Sequence, residues 1–119
     1  MSELRQITVE ENGDVAVVRF VNQKIIDRLM IQEMGDELRA LVEDENRKAI
    51  LLNFDGVSFL SSEALGKLIK LNQTVKQAEG QLKLCSIRAD IYEVFKIANL
   101  HKLFDIKDSE EEAIEGFAS

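Results

Sequence analysis

The sequence predicts an α/β domain, a mixed β-sheet with helices packed against it, in the order β-β-α-β-α-β-α-β-α. Three observations carry this prediction. Asn12-Gly13 separates two strand-like segments, and Asn-Gly is a strong hairpin signal because both residues tolerate positive φ. Residues 49–54 form a near-continuous apolar run with no helical polar face, as a strand covered on both sides would. Beyond that run, strand-like segments alternate with segments of helical period, the pattern of an opening hairpin followed by βα units.

Each element has a local reason. Ile7-Thr8-Val9-Glu10 alternates apolar and polar, as a half-buried strand does, and Val15-Ala16-Val17-Val18-Arg19-Phe20 is the return strand. Asp27 is placed to cap a first helix whose apolar face is Met30, Met34, Leu38 and Leu41. Residues 43–48 form a charged, solvated link. Ala49-Ile50-Leu51-Leu52-Asn53-Phe54 is the central strand, ended by Asp55-Gly56, and residues 57–61 read as a short loop. The second helix has an apolar face of Leu65, Leu68, Ile69, Asn72 and Val75, and stops near Gly80, which suits a left-handed C-terminal position.

Leu82-Lys83-Leu84-Cys85-Ser86-Ile87 is the next strand, with Cys85 a small buried residue. A short third helix packs Ile91, Val94, Phe95 and Ala98, and Asn99 is available to terminate it. Phe104-Asp105-Ile106 makes a last short strand. Ser109 with Glu112 opens a capping box for a final helix that buries Ala113, Ile114 and Phe117.

Composition bounds the function. The chain has 119 residues, 45% of them hydrophobic and 31% charged, with no proline, which is globular and the size of one domain. The net charge of −7 disfavours nucleic acid and anionic membrane surfaces, both of which need clustered Lys and Arg. Five of those seven charges fall in residues 105–119, where Glu110, Glu111 and Glu112 suit the first turn of a helix, and the segment reads as a solvated face. One cysteine cannot make an internal disulfide, and one histidine cannot build a usual zinc site. The N-terminus lacks the apolar core of a secretory signal, and no stretch approaches the ~20 apolar residues that cross a bilayer. The expected location is therefore the cytoplasm, with no membrane insertion, and no cofactor or metal is expected.

Enzyme motifs fail. The glycines give neither GxGxxG nor a Walker A loop, although Gly66-Lys67 has the tail of one. No GxSxG elbow surrounds a serine. His101 is the sole imidazole, has no nucleophile in its local sequence, and reads as a partly exposed loop residue. No enzymatic activity is expected.

The informative segment is Ser58-Phe59-Leu60-Ser61-Ser62-Glu63-Ala64-Leu65-Gly66, which places two serines where a loop meets a helix N-terminus, just beyond the central strand. Taken alone, Ser61 or Ser62 is a helix cap. With the preceding apolar strand and Asp55-Gly56-Val57, the segment resembles the STAS domain, and more narrowly the bacterial anti-sigma factor antagonists. Their usual text here is Val-Ser-Phe-(Met/Ile)-Asp-Ser-(Ser/Thr)-Gly-Leu-Gly. The resemblance extends over essentially the whole chain, read as a single STAS domain over residues 1–119, and the alignment admits no gap from Ser58 to Gly66.

The resemblance implies a partner-switching protein. Unphosphorylated antagonist would bind an anti-sigma factor, often a serine kinase with a histidine-kinase-like ATPase fold. Phosphorylation by that kinase would end the binding and a serine phosphatase would restore it. Ser62 falls on the family's phosphorylated serine, with Ser61 a competing acceptor, and the implied contact surface is Gly56, Val57, Ser58, Phe59, Ser61, Ser62, Glu63 and Gly66. Three positions depart from the family text: Ser61 for Asp, Glu63 for Ser or Thr, and Ala64 for Gly. A phosphorylation-independent STAS scaffold, or an accessory subunit of a signalling complex or membrane transporter, is the alternative that these departures keep open.

Overall fold

The structure is a computed structural model that describes residues 4–118. Strands β1 (Ile7–Asn12) and β2 (Val15–Phe20) form the opening hairpin, with Asn12 paired to Val15. Gly13 holds the positive φ of the turn at +60°, while Asn12 stays in the strand. Strand β4 (Ala49–Asn53) pairs parallel with β2, β6 (Gln81–Cys85) with β4, and β7 (Asp105–Lys107) with β6. The sheet order is β1-β2-β4-β6-β7, so the sheet is mixed, with one antiparallel edge.

Both faces of the sheet are covered, which explains the unbroken apolar run of β4. Val18, Ile50, Leu52 and Leu84 pack in one cluster with α1 (Arg28–Glu43), α2 (Ser62–Gln77) and α3 (Ala89–Ile97). Val15, Val17, Leu51 and Cys85 form a second, smaller cluster with Ala113 of α4 (Glu110–Ala118), against which Ile114 and Phe117 pack half-buried. Cys85 is fully buried, and burial pushes its thiol pKa up, so it stays protonated.

Several details depart from expectation. Residues 57–61 are not a plain loop: β5 (Phe59–Leu60) pairs parallel with β3 (Lys24–Ile25) in a separate two-stranded sheet. Two-residue strands carry too little alternation to be read from sequence. Asp27 does cap α1, its carboxylate accepting from Met30 N at 3.1 Å, but the buried stripe begins at Ile31 while Met30 is half-buried. In α2, Ala64 and Leu71 are buried and Ile69 is only half-buried, because the helix face is centred on Leu68. The left-handed residue after α2 is Glu79, φ +62°, and not Gly80. Gly80 is required for another reason: a Cβ there would lie 2.7 Å from the backbone oxygen of Lys48. Strand β6 ends at Cys85 because Ser86 turns to φ +61°. Val94 and Ala98 of the third helical segment are exposed, leaving Ile91 and Phe95 as its buried residues. Asn99 ends that segment with φ +64°, and Phe104 packs into the core just ahead of β7. Ser109 caps α4 through Glu112 N at 3.2 Å. His101 lies in a single 3-10 turn (Leu100–Lys102), half-buried and edge-on to Tyr92 at 6.4 Å.

Two buried charges were not legible beforehand. Glu37 of α1 accepts from Arg5 N and Gln6 N at 3.0 Å and from Ile7 N at 3.3 Å, tying the chain entering β1 to the helix. Glu37→Ala strands these donors, at about 1–3 kcal/mol for a buried one, and a total loss of about 2–3 kcal/mol is expected in urea denaturation. A loss under half that would mean water replaces the carboxylate freely. Lys83 of β6 is buried against Asp105 and lies 5.2 Å from the centre of the Phe117 ring. The hydrogen bond and charge of Lys83 hold the Asp105 carboxyl below the ordinary carboxylate value. A depressed carboxylate contributes stability above its unfolded pKa, about 3.9, and loses it as pH falls through the folded value. Asp105→Asn is therefore expected to lower Tm at pH 7, with the gap narrowing progressively as pH falls below about 4. A gap that stays constant from pH 7 to 3 would show that the carboxylate charge is not what matters.

Candidate functional site

The site is built at the carboxyl end of β4. Asn53, buried at the end of that strand, spends both ends of its amide: Nδ2 donates to Glu110 Oε1 at 2.7 Å, and Oδ1 accepts from Asp55 N at 2.8 Å. Glu110 also pairs with Arg19 at 2.9 Å, so the first turn of α4 is not simply solvated. Glu10, hydrogen-bonded to Arg19, together with Glu110 raises the Arg19 pKa further, and its guanidinium stays charged. This network, which sequence reading missed, fixes the turn from which the candidate loop departs. A lone Asn ending an apolar strand was its only trace.

From Asn53 the chain turns sharply. Phe54 N donates to Cys85 O at 3.0 Å, Val57 N to Phe54 O at 2.9 Å, and Gly56 takes φ +89° between them, where a side chain would be strained. Val57, expected on the contact surface, is buried in the core and supports the loop from beneath. Ser58 is half-buried, its N–H donating to Gln23 O at 2.8 Å. Phe59 is 47% exposed while its neighbour Leu60 is buried, as the alternation of a strand requires.

The two serines are not equivalent. Ser61 is the N-cap of α2: its Oγ accepts from Ala64 N at 3.3 Å, and its own N–H donates to Ile25 O at 3.1 Å. Ser62 is the first helical residue and is exposed, with no hydrogen bond to its hydroxyl among the described residues. Glu63 is exposed and pairs with Arg28 at 3.5 Å. Gly66 is exposed, and a Cβ there would meet nothing within 4 Å, so packing does not require glycine.

The structure also brings in residues that sequence reading left out. The β3–β5 pairing sets the 20s beside this loop, and Ile26 (52% exposed) and Leu29 (76%) add to Phe59 as large apolar side chains open to solvent. Exposed apolar groups around a free hydroxyl suit a docking surface better than a pocket. Among the described residues, no group of three or more His, Cys, Asp or Glu is placed to hold a metal, and no helix is long and apolar enough to cross a membrane.

Comparison with known proteins agrees with this architecture. The chain is 25% identical over 95 residues to BtrV of Bordetella bronchiseptica, a candidate anti-sigma factor antagonist, covering 80% of this chain and 81% of that one. An anti-sigma-factor antagonist (STAS) domain protein from Planctomyces limnophilus superposes with a TM-score of 0.85 at 22% identity, over 95% of this chain and 98% of that one. The phosphorylated form of the Bacillus cell-fate determinant SpoIIAA gives a TM-score of 0.69 at 19% identity, over 92% and 96%. The STAS domain family model matches residues 6–113. With that match spanning nearly the whole fold, this chain belongs to the STAS domain family.

Proposed function

We infer that this protein is an anti-sigma factor antagonist, non-enzymatic and cytoplasmic, that docks an anti-sigma factor through the surface around the start of α2 and is switched by phosphorylation of Ser62. The partner is a serine kinase with a histidine-kinase-like ATPase fold. It transfers the γ-phosphoryl group of ATP to Ser62 Oγ, releasing ADP and the hydroxyl proton, and a serine phosphatase hydrolyses the ester. The observation that carries the reading is the division of labour between the serines. Ser61 is committed to capping, whereas Ser62 offers a free hydroxyl among exposed apolar groups. Phe59, Ser62, Glu63 and Gly66 form the contact surface. Gly56, Val57, Ser58 and Ser61 hold its shape.

A phosphate at this position is tolerated by the domain, since the first turn of a helix favours negative charge. The cost falls on the partner interface, where two like charges ~4 Å apart at an effective dielectric of ~20 repel by about 4 kcal/mol. The test is a pull-down from native-cell lysate with wild type, Ser62→Ala and Ser62→Asp as baits. An ATPase of the kinase class held by the first two and lost by the third supports the switch. Identical partners for all three baits would leave a phosphorylation-independent scaffold.

A further inference from the structure

The β3–β5 pairing aligns two chain segments at a constant offset of 35 residues. Lys24 pairs with Phe59 and Ile25 with Leu60, and the same offset joins Gln23 O to Ser58 N. It persists as both segments enter their helices, where Arg28 meets Glu63 at 3.5 Å. By the same offset Asp27, the N-cap of α1, corresponds to Ser62, the first residue of α2. Asp27, Arg28 and Glu63 are the charged side chains of the two adjoining turns, residues 26–31 and 61–66. Arg28 is exposed and held only by Glu63 among the described residues, so its guanidinium can change partner without disturbing the core.

We propose that Arg28 exchanges Glu63 for the phosphate when Ser62 is phosphorylated, and so sets how much of the added charge a docking partner meets. Carboxylate and phosphate both accept from guanidinium in a bidentate fork, and the dianion, with about twice the charge of the Glu63 carboxylate, wins the competition. Glu63 is then released as an unpaired anion, and Asp27, one residue before Arg28, adds like charge. Arg28 is a positioning residue of the switch, reached from the first helix and not from the loop that carries the serine. The inference rests on the reading of Ser62 as the phosphoacceptor.

The test installs phosphoserine at position 62 during translation, so that neither kinase nor partner is needed, and follows the second phosphate ionisation by 31P NMR. A paired cation favours the dianion. Arg28→Ala is expected to raise the phosphate pKa by roughly 0.3–0.6 unit, a two- to fourfold change in proton affinity, with Arg28→Lys recovering part of it. Glu63→Gln and Asp27→Asn, the latter still a good helix cap, are each expected to lower it. A phosphate pKa that moves by less than about 0.1 unit in Arg28→Ala overturns the exchange and leaves the switching reading intact. Undiminished partner binding by the phosphoserine protein overturns the switching reading, while the titration still decides on Arg28.

Discussion

Phe54→Ala is expected to lower the unfolding free energy by about 3–5 kcal/mol, the cost of deleting a buried aromatic side chain and leaving a cavity. Phe54 is 1% exposed and lies 4.9 Å from the Phe20 ring and 6.5 Å from that of Phe95, which in turn meets Phe104 at 5.9 Å. This aromatic row joins β2, the end of β4, α3 and the approach to β7, so the cavity would open where no single element can collapse into it. The backbone bonds of Phe54 to Cys85 O and Val57 N survive the substitution, so the loss is one of packing. Phe54→Leu, which retains most of the volume, should cost less than half as much. Urea denaturation of the three proteins measures both. A loss near 1 kcal/mol for the alanine variant would mean that the surrounding rings repack, and the row would then be filling and not framework.

The second large effect is on binding and not on folding. Ser62→Asp is expected to weaken the complex with the anti-sigma factor by about a hundredfold, since one unit of like charge at an interface is worth up to ~4 kcal/mol and aspartate delivers about half the charge of phosphate. Its folding stability should change by less than about 0.5 kcal/mol, because the residue is exposed and a first-turn acid is favourable. Ser61→Ala should behave in the opposite way, losing about 1 kcal/mol of stability with its cap while leaving affinity nearly unchanged. Calorimetric titration against the isolated partner, paired with thermal melts, separates the two. Equal affinity of wild type and Ser62→Asp would remove Ser62 from the interface.

These effects sort by what each residue touches, and so does what could be read in advance. The helix starts at Asp27, Ser61 and Ser109 are statements about one turn of backbone, because a cap satisfies an N–H two or three residues away. Asp27 and Ser109 were legible for that reason, and Ser61 only as one of two adjacent serines. The apolar runs of β2 and β4 and the thiol of Cys85 were legible because burial on both faces leaves little room for polar residues. Glu37 was not: it lies among helix residues of ordinary polarity, and only its partners thirty residues earlier in the chain distinguish it from a surface glutamate.

The chemistry of the 56–66 segment belongs to the sequence as well, in the sense that its serines, its glycine turn and its apolar positions are local and contiguous. The sequence by itself determined the order of the five main strands and four helices, the mixed sheet with helices packed against it, and the candidate serines. Only the tertiary structure decided which serine is free, that Val57 faces inward, and that Ile26, Arg28 and Leu29 share the site. Local pattern is written in neighbours a few residues apart. The β3–β5 pairing and the Asn53–Glu110–Arg19 network are contacts between residues 34 or more apart, and such contacts exist only once the sheet has set their register.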